Sequence, residues 1–259
     1  MFDVVTFDLW QTLLLDSLDK GNIRSEVRLS GTRDVLAKVG RRYSDSQMKQ
    51  AYTECATQCR SIRDNHLDIA FNSQVKLFLN LLEPDLADLL EDEVFESVCA
   101  IYSDAFFVAP PALHPNCLEV LSEIKAMGLK IALISNTGMT PGVAFRRYLL
   151  EAGVFDFFEQ TVFSDEELLS KPSPEIFHRS LRRVGSVSDR AIHVGDSINH
   201  DVIGAHLAGM AAVWIAGFSE RGDLEATGSE PDVIVRDLAV VPNEISKMFG
   251  RERRIGLCP

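Results

Sequence analysis

Short apolar runs, each joined to the next by a segment of helical periodicity, recur along most of the chain. This alternation constrains the fold more than any other feature. Val4–Phe7 ends at Asp8 and reads as a buried strand. Lys130–Ile134 follows the helical pattern Leu118-Leu121-Ile124-Lys125 and the stop signal Gly128. Gln160–Phe163 follows a helix predicted over Val143–Ala152, with Gly153 behind it as a C-cap. Ala191–Val194 follows Glu175–Val184 and Gly185, and Ala211–Ile215 follows Asp201–Ala208 and Gly209. Val233–Val235 is a sixth candidate. Short strands alternating with helices predict an α/β fold built on a parallel, doubly wound sheet.

Residues 16–109 break the rhythm. They hold no convincing strand and show helical periodicity in pieces, over Val27–Val39, Gln47–Ile62, Ile69–Leu82 and Leu86–Ala105, before Pro110-Pro111 punctuates the end. The expected organisation is a core made of 1–15 and 110–259, interrupted by a helical domain at 16–109.

Charge is uneven within that insert. Between Arg24 and Arg63 there are nine bases and four acids, an excess able to draw an anionic substrate. Between Glu83 and Asp104 there are eight acids and no Lys or Arg. Ala87, Leu90, Val94, Val98 and Ile101 run through that stretch at helical spacing, so the acids read as a solvated helix face. Over the whole chain, 26 Lys+Arg against 38 Asp+Glu give −12, which argues against nucleic acid as a partner. No run approaches the roughly 18 consecutive apolar residues of a membrane span. The opening MFDVVTFDLW carries acids within its apolar run and no basic leader, unlike a secretory signal. Cys55, Cys59, Cys99, Cys117 and Cys258 are odd in number and lack CxxC spacing, which fits reduced thiols and a cytoplasmic location. Cys55 and Cys59, four apart on a predicted helix, read as small buried residues on one face.

Ligands of open α/β sheets sit outside the carboxyl ends of the strands, so polar residues just after each strand are the first chemical candidates. Asp8 follows the first strand, and Ser135-Asn136-Thr137 the second. Lys171-Pro172-Ser173-Pro174 opens a helix downstream of the third, and Gly195-Asp196-Ser197 follows the fourth, with Asp201 beyond it. A strand-end carboxylate can act as a nucleophile. Facing carboxylates repel, and a hard cation such as Mg²⁺ relieves that repulsion while binding phosphate oxygens. A Lys and a Ser hydroxyl can hold the transferred group and its charge.

The set Asp8/Thr12, Ser135, Lys171-Pro172 and Gly195-Asp196…Asp201 resembles the four motifs of the haloacid dehalogenase-like (HAD) hydrolase superfamily, and the helical insert resembles its C1 cap. The resemblance implies a Rossmann-like core and hydrolysis of a small, anionic, phosphorylated molecule, by a monomer or homodimer. It makes Asp8 the nucleophile, with Ser135 and Lys171 binding the transferring group and Asn136, Thr12 and Trp10 beside the substrate. Asp196 would ligate Mg²⁺ with Asp8 and the backbone carbonyl of Trp10, and Asp201 would orient the metal shell or pair with Lys171. One position departs from the pattern: the phosphatases carry a second Asp two residues after the nucleophile as general acid and base, and here that residue is Trp10.

Three readings follow. The first is a phosphatase that draws its proton elsewhere, with Glu26, His66 and His114 as candidates. The second is a metal-free 2-haloacid dehalogenase-type hydrolase, whose halide leaving group needs no proton and whose family members carry an aromatic residue at this position. The third is a binding protein without turnover. Asp196, which resembles the phosphatase branch, favours the first. His193 within the fourth strand reads as a satisfied core histidine, His200 as a helix-surface one, and Arg146 and Arg147 as solvent-facing.

Overall fold

The computed structural model describes residues 2–217 and 230–255. In chain order they form β1 (Val4–Phe7), a two-residue β2 (Leu14–Leu15), α1 (Leu18–Lys38), α2 (Asp45–Asp64), α3 (Phe71–Leu82), α4 (Leu86–Leu89) and α5 (Asp92–Val108). Then come β3 (Ala112–Leu113), α6 (Cys117–Ala126), β4 (Lys130–Ser135), α7 (Gly142–Glu151), β5 (Gln160–Phe163) and α8 (Ser164–Glu167). The remainder is α9 (Pro174–Val184), β6 (Ala191–Gly195), a π-turn at Ile198–Val202 leading into α10 (Ile203–Leu207), β7 (Ala211–Ile215), β8 (Val233–Val235) and α11 (Val241–Ile255).

Six strands form one sheet in the order β5-β4-β1-β6-β7-β8, and every neighbouring pair is parallel. The chain winds outward from β1 in one direction through β4 and β5, then returns to β6 on its other side. That reversal makes the carboxyl ends of β1, β4 and β6 the switch point where open sheets bind ligands. One face packs under α6, α7 and α11, with Phe7, Leu133, Phe145 and Phe163 at its centre. The other packs under α9 and α10 around Ile134, Phe177 and Trp214. The α/β, doubly wound fold expected from the alternation, and the Rossmann-like core implied by the resemblance, are the fold seen.

The helices between β2 and β3 bury a core of their own, with Leu36, Met48, Phe78, Leu79, Val98 and Tyr102. Cys55 and Cys59 lie side by side in it, fully buried, while Cys258 lies outside the described residues. β2 and β3 pair antiparallel, so both connections to this block pass through one short ribbon.

Two expectations for the block need correction. Leu86–Ala105 is not one helix: Leu90 and Glu91 are extended, and a new helix starts at Asp92 with Asp92 and Glu93 in its first turn, where carboxylates favour the positive helix end. The first helix begins at Leu18, capped by Ser17, nine residues before Val27. Of the acids at 83–104, all are exposed except Glu83, which is half-buried and bonds Arg41 and Tyr43 at 2.6 and 2.7 Å. At the other end of the chain, α11 continues to residue 255. Among the described residues no helix is long and apolar enough to cross a membrane.

Candidate active site

Asp8 extends β1, its N–H donating to Val194 O across the sheet at 2.9 Å. The chain then coils tightly: the N–H groups of Leu13 and Leu14 both return to Leu9 O, and Gln11 takes a left-handed φ of 53°. This turn leaves Asp8 almost enclosed, facing the loops after β4 and β6.

Lys171 is nearly fully buried, and its ammonium donates to Asp8 Oδ1 at 2.5 Å and to Asp201 Oδ1 at 2.6 Å. Burial opposes its charge, but Asp201 and Asp8 outweigh that and hold its pKa above the ordinary value. Asp201 Oδ2 accepts from Ser197 N–H at 2.9 Å. His193 Nε2 lies 3.0 Å from Asp201 Oδ1, and His193 Nδ1 lies 2.8 Å from Thr6 Oγ1. An ionised carboxylate only accepts, so His193 donates through Nε2 and takes the Thr6 proton on Nδ1. Burial lowers the His193 pKa, which matches this neutral form. It is thus a satisfied core histidine, and one that braces the site. Only glycine fits at 195, where a Cβ would overlap the Asp201 carboxylate.

One ammonium faces three carboxylates. Ligand atoms of Asp8, Asp196 and Asp201 lie within 4.8 Å of one another. Burial, against the pull of Lys171 and with repulsion from Asp201, raises Asp8 to about 7. Burial and the charges of Asp8 and Asp201 raise Asp196 to about 8. Asp201 goes the other way: burial disfavours its charge, but Lys171 and His193 hold it well below the usual carboxylate range. The all-oxygen donors and excess negative charge at Asp8 and Asp196 fit a hard divalent cation. Both Asp201 oxygens are engaged by Lys171, His193 and Ser197, so it pairs with Lys171 and braces that side chain.

Other residues singled out in the sequence fall in different places. Asn136 accepts from Lys171 N–H at 2.9 Å and donates to Lys171 O at 3.1 Å, so its amide clamps the lysine's backbone rather than facing a ligand. Ser135 is fully buried, its hydroxyl 3.3 Å from Asn136 O, and Thr12 is buried with an unpartnered hydroxyl. Neither lines the cavity above Asp8, a space of about 670 Å³ whose wall at β4 is formed by Asn136 to Thr140. Trp10 does line it, packed edge-on against Phe106 and Phe145 at 6.4 and 5.3 Å between centroids. Glu26, His66 and His114 are all off this wall; among titratable groups it holds His200, Asp64 and Asp16 instead. Arg147 is exposed as expected, but Arg146 is partly covered over Phe163 and bonds Thr161.

The helical block supplies the opposite wall. Arg24, poised over the Trp10 ring, joins both connecting segments by bonding Asp16 and Ala109 O. Arg28 donates to Tyr102 O and reaches across to Thr140 Oγ1 at 2.8 Å. Asp68, its side chain wholly enclosed, accepts from Ser164 Oγ at 2.6 Å, from Ile69 N–H at 2.9 Å and from Arg63 at 3.2 Å. Leu67 and Leu169 form an antiparallel bridge beside it, on the segment that runs into Lys171. Replacing Asp68 by Ala strands Ser164 and Arg63 without their buried acceptor. We expect a loss of about 3–5 kcal/mol in denaturant unfolding, and a loss under about 1 kcal/mol would refute this account.

Comparison with known proteins follows the same lines. A family model described as haloacid dehalogenase-like hydrolase matches residues 2–209. A glyceraldehyde 3-phosphate phosphatase of Methanopyrus kandleri is 28% identical over 258 residues, covering 95% of this chain and 100% of that protein. One from Methanothermobacter thermautotrophicus is 34% identical over 125 residues, 46% of this chain, so that the chain spans about half (53%) of that relative's length. Among solved structures, an HAD phosphatase from Thermococcus onnurineus superposes with a TM-score of 0.63 at 25% identity, covering 96% of this chain and 98% of that one.

Proposed function

The chain belongs to the haloacid dehalogenase-like hydrolase family, and we propose that within it the protein is a Mg²⁺-dependent phosphatase of small phosphorylated metabolites. The observation that carries this reading is the cluster of Asp8, Asp201 and Lys171, all buried, with the half-buried Asp196 at the switch point of the sheet. Similarity to relatives named phosphatases supports it. The insert at 16–109 is the cap over that site, and β2 and β3 are its tether.

Asp8, Asp196 and the Trp10 carbonyl would hold the cation. Once bound, it neutralises phosphoryl oxygens and lets a carboxylate approach phosphorus. Asp8 attacks, forming an aspartyl phosphate and releasing the alcohol, and water then cleaves the acyl phosphate. Lys171, kept charged by Asp201, stabilises the transferring group in both steps. Asn136 fixes where Lys171 sits. With Trp10 unable to exchange protons, the leaving oxygen takes its proton from His200 on the cavity wall or from solvent.

Assay on a phosphate-ester panel tests the reading. Chelation should reduce phosphate release by about 10²-fold or more, and Mg²⁺ should restore it. Absence of Mg²⁺-dependent release from every ester would sink it. Trp10 itself favours a second reading, a 2-haloacid dehalogenase-type reaction, which metal-independent halide release from 2-haloacids would establish.

A further inference from the structure

The cap presents two arginines to the cavity that the chemistry at Asp8 does not use. Arg24 and Arg28 are engaged in holding the cap together and to the core. Arg60 and Arg63, on the last turns of α2, are placed differently. They stand three apart, hence on neighbouring positions of one helix face. Both line the cavity that holds Lys171 and Asp196. The Arg63 carbonyl accepts from Ser170 Oγ at 3.0 Å, which sets this helix end one residue from Lys171.

Arg63 is largely enclosed, with 17% of its side chain exposed, and bonds a single carboxylate, that of Asp68. A guanidinium offers five donors in a planar fork. Arg60 is exposed and makes no ion pair or side-chain hydrogen bond among the described residues. Asp64 lines the same cavity, yet no ion pair joins it to either arginine among the described residues. Two guanidinium groups thus face the space above the nucleophile with most of their donors unengaged by protein.

Resting on the phosphatase reading, we infer that the substrate carries a second oxyanion, beyond the phosphoryl group that is transferred, and that Arg60 and Arg63 bind it. The phosphoryl end sits between Lys171 and the cation-binding carboxylates, and the remote oxyanion reaches the end of α2. A forked guanidinium matches a carboxylate or a phosphate equally well, so the shared chemistry is an oxyanion on a short molecule.

Matched esters separate the two sources. The first pair is 3-phosphoglycerate against glycerol 3-phosphate, which differ by a carboxylate. The second is fructose 1,6-bisphosphate against fructose 6-phosphate, which differ by a phosphate. We expect at least one anionic member to be preferred about tenfold or more in kcat/KM, mostly through KM. Arg60→Ala and Arg63→Ala should each reduce that ratio about tenfold. Arg33→Ala, which removes an equal charge from α1 outside this cavity, should leave the ratio unchanged.

Calorimetric binding of the same pairs to Asp8→Asn protein with Mg²⁺ reads the preference without turnover. Turnover with no anionic preference, or a preference untouched in both Arg60→Ala and Arg63→Ala, overturns the inference while the phosphatase stands. An Arg60-dependent preference in binding, with no ester hydrolysed, removes the phosphatase and keeps the oxyanion site.

Discussion

Asp8→Asn protein should release phosphate from its best ester at least ~10⁴-fold more slowly than the parent, with Mg²⁺ present in both assays. The amide keeps the shape of the side chain and removes the anionic oxygen that attacks. No other carboxylate can take over: Asp201 is held by Lys171, His193 and Ser197, and Asp196 stands after a different strand. The fold should survive, because Lys171 retains its 2.6 Å contact to Asp201. Without metal it should even gain. A carboxyl whose folded pKa lies above its ordinary value favours the folded state at low pH and loses that contribution as pH rises. For Asp8 the loss spans 3.8 to about 7. At pH 8 the charged Asp8 is therefore a burden on the metal-free protein, and Asp8→Asn should raise Tm there but not at pH 4. A phosphatase rate within tenfold of the parent would show that another group is the nucleophile. An equal Tm shift at both pH values would show that Lys171 already compensates Asp8.

How much of this was legible beforehand follows from what periodicity can encode. The β1 and β7 runs are almost wholly apolar because both faces of the sheet are covered there, so their limits stand out in the sequence, whereas β5 opens on Gln160-Thr161 and the edge strand β8 leaves Ile234 exposed. Residues after β1, β5 and β6 converge by topology, which is why Asp8, Lys171, Asp196 and Asp201 could be grouped from their places after the strands. The cap was harder. The inward face of α1 is Arg24, Arg28, Thr32 and Leu36, a stripe that is mostly polar, so hydrophobic patterning placed the helix start too late. The same residues hold the cap to the core, and a charge count sees them only as a basic excess. A two-residue strand such as β2 or β3 carries no period at all. Side-chain clamps were equally hidden: Asn136 looks like a ligand-facing neighbour of Ser135 until its amide is seen bound on both sides to Lys171. Asp68 drew no attention in the sequence, since only the fold sets Ser164 and Arg63 against it.

Trp10→Asp should raise kcat for phosphate esters with poor leaving groups by about 10²-fold or more, the scale of one positioned general acid. The position faces the cavity, two residues from the nucleophile, and its neighbours decide what the exchange costs. Trp10 fills a gap between Phe106 on the cap and Phe145 on the core, so shortening it leaves space there and should cost roughly 3–5 kcal/mol of stability. Arg24, 5.8 Å from the ring it now covers, already bonds Asp16 and would compete weakly for the new carboxylate. Trp10→Asn opens the same space without a titratable group and so isolates the proton from the packing. The gain should appear with Asp and not with Asn, should be largest for alkyl phosphates, and should nearly vanish for p-nitrophenyl phosphate, whose leaving group needs no proton. If Asp and Asn behave alike, or both lower the rate on alkyl esters, proton delivery to the leaving group does not limit this enzyme, and the indole serves the cap–core contact alone.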